Sequence, residues 1–374
     1  MFCTGRQSDT HEVRCEHDLH GDGLTLAGAS IVRTWKELQC KHESYHPSIP
    51  LLSVHCTTIP VFTLAHPHIM DFSAYGHYSS EWLSFIETNP SAARDGFASN
   101  HLDQAAALRS TSNKARSEVS ARLIAEDHLD EQVAISTVAA ASSQRHTIPL
   151  RIYRPKSRPY DESTGVVLYF HGGGFLLGDE TTDDLLCCRI AASTGAVVVS
   201  VIYRHTDRYK HPAQVDDAWD AFQYVRDHAD RLNLPVRKSL VSMGISAGCT
   251  LAASVIIREL ENSRKGKVVR PVITGALLSI PWLIHIDNYP MGLFTSPEVS
   301  AKVQNAEAPV IPTPRLKLFS DLLEARDVAD RLLNVPLSPE SELQGWPRTV
   351  FQVAGSDPLR DDGLLFADKL RSIG

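Results

Sequence analysis

Leu240-Val241-Ser242-Met243-Gly244-Ile245-Ser246-Ala247-Gly248 climbs through an apolar run into a Gly-x-Ser-x-Gly, and the alanine-rich Leu251-Ala252-Ala253-Ser254-Val255-Ile256-Ile257 follows. The layout is strand, sharp turn, helix, which presents a serine nucleophile at the head of a sheet. Such a turn strains the backbone of its central residue, and a Cβ on either flanking residue would collide with the neighbouring strand or helix. Ser246 is therefore expected at the top of a sheet, its hydroxyl exposed and a helix N-terminus beneath it. The same five residues also read as an ordinary Gly/Ser turn, so the rest of the chain has to decide.

Working outward, Val166-Val167-Leu168-Tyr169-Phe170 is a continuous apolar run that discharges into His171-Gly172-Gly173-Gly174-Phe175. Continuous apolar runs mark strands buried on both faces of a parallel sheet. Ala196 to Tyr203, Val272 to Ile280 and Thr349 to Ala354 read the same way, the last ending at Gly355-Ser356-Asp357-Pro358. Helices are expected from Asp183 to Ser193, from Gln214 to Leu232, after the elbow to about Arg264, and from Asp362 to Ser372. Val133 to Val138 and Ile148 to Tyr153 alternate like two strands of an antiparallel edge, and Pro155 and Pro159 mark a loop. Strands alternating with helices of these lengths predict an α/β protein with a mostly parallel, doubly wound sheet. Ser80-Glu81-Trp82-Leu83-Ser84-Phe85-Ile86 is a helical pattern that Ser80 is expected to cap. Leu102 to Glu126 reads as one or two polar, alanine-rich helices, either a lid or an ordinary surface helix, and the irregular stretch from Trp282 to Pro347 reads as further cap.

The chain has 374 residues, enough for one large α/β domain with added segments. A formal net charge of -7 argues against nucleic acid or an anionic membrane as the main partner. No apolar run reaches the roughly 18 residues of a membrane span, and the N-terminus lacks the pattern of a secretory signal. Seven cysteines, an odd and scattered number, fit a reducing, cytoplasmic setting. Residues 1–70 differ from the rest. Cys3, Cys15, Cys40 and Cys56 are mixed with histidines such as His11, His17 and His42, but no pair has zinc-finger spacing. No metal is expected there, and the segment reads as a disordered N-terminal extension.

Acyl transfer needs a nucleophile, a base, a carboxylate to orient the base, and donors for the oxyanion. Ser246 supplies the first. The glycines after His171 let backbone N–H groups close on a ligand, and the N–H of Ala247 is a further donor. Asp357 stands in the loop after a late strand, where open α/β sheets place functional groups. The glycine run could instead cradle phosphate, but Leu177 stands where a dinucleotide fingerprint needs glycine, and no Lys-Ser/Thr follows. Asp357 also reads as a turn former before Pro358.

Together, His171-Gly172-Gly173-Gly174-Phe175, Gly244-Ile245-Ser246-Ala247-Gly248 and Asp357-Pro358-Leu359-Arg360-Asp361 resemble the hormone-sensitive-lipase family of α/β-hydrolases. The likeness runs over roughly residues 80–374 and includes Ile148 to Pro155. It implies an α/β-hydrolase domain over 71–374 with helical cap segments near 71–130 and 282–347. It also implies hydrolysis of a small carboxylic ester through an acyl-serine, with no cofactor. Ser246 would be the nucleophile and Asp357 the triad acid. The oxyanion hole would be drawn from Gly172, Gly173 and Gly174 with Ala247, and His171 would be structural.

Three departures stand out. Ile245 replaces the family's usual acidic residue, Cys249 a usual glycine, and Tyr203-Arg204-His205-Thr206-Asp207-Arg208 keeps only the first two residues of its family counterpart. A fourth is larger. In such enzymes the partners run Ser, Asp, His along the chain, yet no histidine follows Asp357, the last being His285. The chain is expected to lack the last strand and the loop that bears the base, as a C-terminally incomplete or diverged member. His285, His171 and His211 are the substitutes weighed. Losing that histidine lowers turnover by about 10⁶ in a serine hydrolase, leaving roughly 10³–10⁴ over water. The alternative is a non-catalytic protein that binds a small ligand on the same fold.

Overall fold

The computed structural model describes residues 69–90, 105–156, 165–267 and 270–374. The Cys- and His-bearing N-terminal stretch up to residue 68, with the extension and metal readings attached to it, lies outside them, as does the loop around Pro159. Chain order runs α1 (Ser80–Thr88), α2 (Ala105–Glu126), β1 (Val133–Ala141), β2 (Thr147–Pro155), β3 (Val166–Phe170), α3 (Asp184–Thr194), β4 (Val197–Val201) and α4 (Ala213–Asp227). It continues with β5 (Leu240–Ile245), α5 (Ala247–Arg264), β6 (Ile273–Ser279), α6 (Thr313–Leu322), β7 (Arg348–Gln352) and α7 (Arg360–Ser372). Short 3₁₀ turns and four-residue helices join them.

The strands form one sheet in the order β1-β2-β4-β3-β5-β6-β7. β1 and β2 make the antiparallel edge, from Val133 opposite Pro155 to Ala141 opposite Thr147, and β2 lies antiparallel to β4. All pairs from β4 through β3, β5 and β6 to β7 are parallel. Side chains of a strand alternate between the two faces, and the valine runs use both. Leu168, Phe170, Val197, Val199 and Val201 enter the larger core, which α4 and α5 cover with Val215, Phe222, Leu251 and Ile256. Val167, Tyr169 and Val198 enter a second core under α3, with Cys187, Cys188 and Ile190. Every residue of β3 and β4 is buried, which is why those stretches carry no polar alternation. At about 1.5–3 kcal/mol per buried large aliphatic or aromatic side chain, these two layers are the main stabilising term.

Several local expectations shift. Ser79, not Ser80, caps α1, its hydroxyl accepting the Trp82 N–H at 3.1 Å. α4 stops at Asp227, although the apolar spacing continues. Ala229, Leu232 and Leu234 stay buried in a series of turns in which Asn233 takes φ 49°. α2 is a single 22-residue helix. Its inward face is polar, with Arg109, Asn113, Arg116, Ser117 and Ser120 at helical spacing, and all five bond the segment from Gly178 to Leu185. An apolar stripe is the usual sign of a packed helix; here hydrogen bonds take its place.

Candidate active site

Ser246 sits between β5 and α5 with φ 51° and ψ −121°. A non-glycine residue at positive φ costs on the order of 1–3 kcal/mol and persists only where its surroundings over-determine it. They do so at this turn. A Cβ on Gly244 would stand 2.3 Å from the Gly248 carbonyl oxygen, and one on Gly248 would stand 2.1 Å from the oxygen of Phe170. The Ser246 N–H donates to Ser279 O at 2.9 Å, and its carbonyl accepts the N–H groups of Cys249 and Trp282. Cys249 is buried beneath the turn, its thiol directed at the carbonyls of Gly244 and Ser279, and burial pushes that thiol's pKa up. This departure braces the elbow from below. Ser246 as a whole residue is only 6% exposed, seated within the turn. As first residue of α5, Ala247 carries an N–H without a partner inside the helix, at its positive end.

The glycine run lies against the elbow. A Cβ on Gly172 would meet the Ile245 carbonyl oxygen at 3.0 Å, immediately before Ser246. Gly173 and Gly174 take φ 124° and 62°, and the space a Cβ on Gly174 needs is filled by the ring of Phe319. The structure thus brings Gly172, Gly173, Gly174, Ser246 and Ala247 to the same end of the sheet.

Asp357 follows β7, at the same carboxyl end and one strand removed from the elbow, with β6 between. One carboxylate oxygen accepts the Leu359 N–H at 2.7 Å. Burial raises the Asp357 pKa to about 6, against the opposing pull of that N–H and of the Lys302 ammonium. Two residues that sequence reasoning missed hold the loop. Asn305 donates to the carbonyls of Gly355 and Asp357, and Lys302 to Pro358 O and to the buried Asp362 carboxylate, each at 2.8 Å for Lys302. Their segment read only as irregular cap, and nothing in its local pattern marks them. Beside the loop lies a cavity of about 590 Å³, walled by Tyr75, His77, Trp82 and Phe85 opposite Val353 and Asp357. Neither Ser246 nor the glycine run lines it.

The histidines weighed as bases are placed as follows. His171 is buried, its Nδ1 2.9 Å from Gly172 O, and burial lowers its pKa to about 4. The Nε2 of His211 faces Asp330 at 2.7 Å. His285 accepts the Asp287 N–H at 3.3 Å, and burial lowers its pKa. None of these bonds ends on Ser246 or Asp357. Among the described residues no cluster of three or more His, Cys, Asp or Glu side chains is arranged to hold a metal, and no helix is long and apolar enough to cross a membrane.

A seven-stranded, mostly parallel sheet with a serine elbow at its carboxyl end defines an α/β-hydrolase. The family model described as "alpha/beta hydrolase fold" matches residues 167–374, and the chain belongs to that family, in the hormone-sensitive-lipase-like branch that its motifs resemble. It is 34% identical over 229 residues to esterase LipI of Mycobacterium tuberculosis, a match covering 61% of this chain and 66% of LipI. Among solved structures, the Pyrobaculum calidifontis esterase superimposes with a TM-score of 0.58 at 26% identity, covering 71% of this chain and 80% of that one. Esterase LipW of Mycobacterium marinum does so with 0.61 at 26%, covering 75% and 80%. The chain spans just under two thirds of LipI's length.

Proposed function

We propose that this protein is a serine hydrolase of small carboxylic esters. The observation that carries the reading is Ser246, held at φ 51° on a strand-to-helix turn against the glycine run. Relatives named as esterases support it. Ser246 Oγ attacks the ester carbonyl, the carbon becomes tetrahedral, and its oxyanion is met by backbone N–H groups of the Gly172–Gly174 run and of Ala247. The base that takes the Ser246 proton hands it to the departing alcohol, leaving an acyl-serine that water then hydrolyses. Asp357 is the carboxylate that orients the base in this scheme. Removing one oxyanion donor in a serine hydrolase costs about 10²–10³ in kcat, so the elbow and glycine run carry much of the rate.

The second reading, a non-catalytic binder of a small ligand, is favoured by one fact: the 590 Å³ cavity, of ligand-binding size, is not lined by Ser246. Hydrolysis of a short-chain p-nitrophenyl ester by the 374-residue protein beside Ser246→Ala separates the two. Turnover well above the variant supports the hydrolase and directs the search for its base to His77, on the cavity wall with Asp357, and to His285. Turnover equal to the variant, from folded protein, makes this chain a binder.

A further inference from the structure

The stretch Tyr203-Arg204-His205 departs from its family counterpart at His205, and His205 is where a chain of hydrogen bonds from α2 reaches the glycine run. Arg109 Nη2 lies 3.0 Å from His205 Nδ1 and also donates to Gly178 O at 3.0 Å. His205 Nε2 lies 3.3 Å from His171 Nε2, and His171 Nδ1 lies 2.9 Å from Gly172 O. Both imidazoles are buried, and Tyr203 stacks on His171 with ring centroids 4.3 Å apart.

Chemistry allows one proton arrangement along this chain. A guanidinium only donates, so His205 Nδ1 must accept and its proton resides on Nε2. That N–H points at His171 Nε2, which must accept in turn, so the His171 proton resides on Nδ1. A carbonyl only accepts, and the last bond runs from His171 Nδ1–H to Gly172 O. The Tyr203 hydroxyl agrees: it donates to His171 O at 2.9 Å, leaving its oxygen free to accept at 3.2 Å from the same Nδ1–H. Burial lowers the pKa of both imidazoles, so each carries the single proton that the arrangement needs at neutral pH.

The consequence falls on the next peptide. In a trans peptide the C=O of one residue and the N–H of the next point in opposite directions. Holding Gly172 O on the imidazole side therefore aims the Gly173 N–H to the other side. We infer that Arg109 and His205 are positioning residues for the oxyanion-binding peptide: Arg109 sets the tautomer of His205, His205 that of His171, and His171 orients the Gly172–Gly173 unit. The proton ladder stands on geometry alone, while its effect on turnover rests on the hydrolase reading.

The test labels histidine and glycine with ¹⁵N and reads imidazole tautomers in wild type, Arg109→Met, Arg109→Lys and His205→Phe, beside ester kinetics. In wild type at neutral pH we expect protonated Nε2 on His205 and protonated Nδ1 on His171. Arg109→Met should mix both tautomers, shift the Gly173 amide resonance, and lower kcat about tenfold with KM within twofold, a fraction of the loss seen on deleting an oxyanion donor. Arg109→Lys, still a pure donor, should restore most of this. His205→Phe keeps the stacked ring and the Arg109–Gly178 bond, and should reproduce the His171 and Gly173 changes even if Arg109→Met does not fold. A wild-type His171 protonated at Nε2 overturns the inference. So does an unchanged His171 tautomer, or an unmoved Gly173 amide, in folded Arg109→Met and His205→Phe. Altered tautomers with unchanged kcat remove the positioning role. If wild type shows no Ser246-dependent turnover, the hydrolase reading fails by itself, and the imidazole and Gly173 resonances still decide the ladder.

Discussion

Replacing Asp357 by Asn should make the protein more stable, and increasingly so as the pH rises. The folded-state pKa of Asp357 is about 6, against an ordinary value of 3.8, because burial penalises its ionised form. A group whose pKa is raised on folding binds its proton more tightly in the native state. Its stabilising contribution is whole below pH 3.8 and is lost as the pH climbs through about 6. A shift of about two units corresponds to about 3 kcal/mol at 1.36 kcal/mol per unit, and a half-buried carboxyl keeps some water, so about 1–3 kcal/mol is the expected size. Asn keeps an oxygen to accept the Leu359 N–H, and other titrating groups cancel when the two proteins are compared. Urea unfolding of both from pH 4 to pH 8 measures the difference directly. The variant's advantage should grow by that amount between pH 4 and pH 7 and then level off. A flat difference, or one that moves toward wild type as the pH rises, would refute the burial argument.

Other outcomes follow from the same contacts. Ser246→Gly relieves the positive φ at the turn and should unfold later in urea than Ser246→Ala, by about 1–2 kcal/mol. Gly248→Ala places a Cβ 2.1 Å from the Phe170 carbonyl oxygen, a backbone atom that cannot step aside; circular dichroism should show a loss of several °C in Tm or no folding. Lys302→Met leaves the buried Asp362 carboxylate without its cation and should cost about 3–5 kcal/mol in denaturant unfolding, as for other broken buried pairs. A loss under 1 kcal/mol would mean that water reaches Asp362.

Sequence alone determined the sheet and the place of the sharp turn at Ser246, because the signals are local. Continuous valine and leucine runs only make sense as strands buried on both faces, and the glycines around Ser246 are required by contacts a few residues away, Gly244 against Gly248. The alternation in Val133–Val138 and Ile148–Tyr153 likewise marked the antiparallel edge, which the folded strands extend to Val133–Ala141 and Thr147–Pro155. What tertiary structure decided lies in long-range polar contacts that leave no periodic trace. α2 packs with a polar stripe, so Arg109 and Asn113 look like surface residues until Gly178 is placed against them. Lys302 and Asn305 come from a stretch without pattern, yet they hold the Asp357 loop more than 50 residues away. His205 reads as a mere departure until it stands between Arg109 and His171. A hydrogen bond needs only one suitable atom at the right point in space, and which residue supplies it is settled when the chain folds.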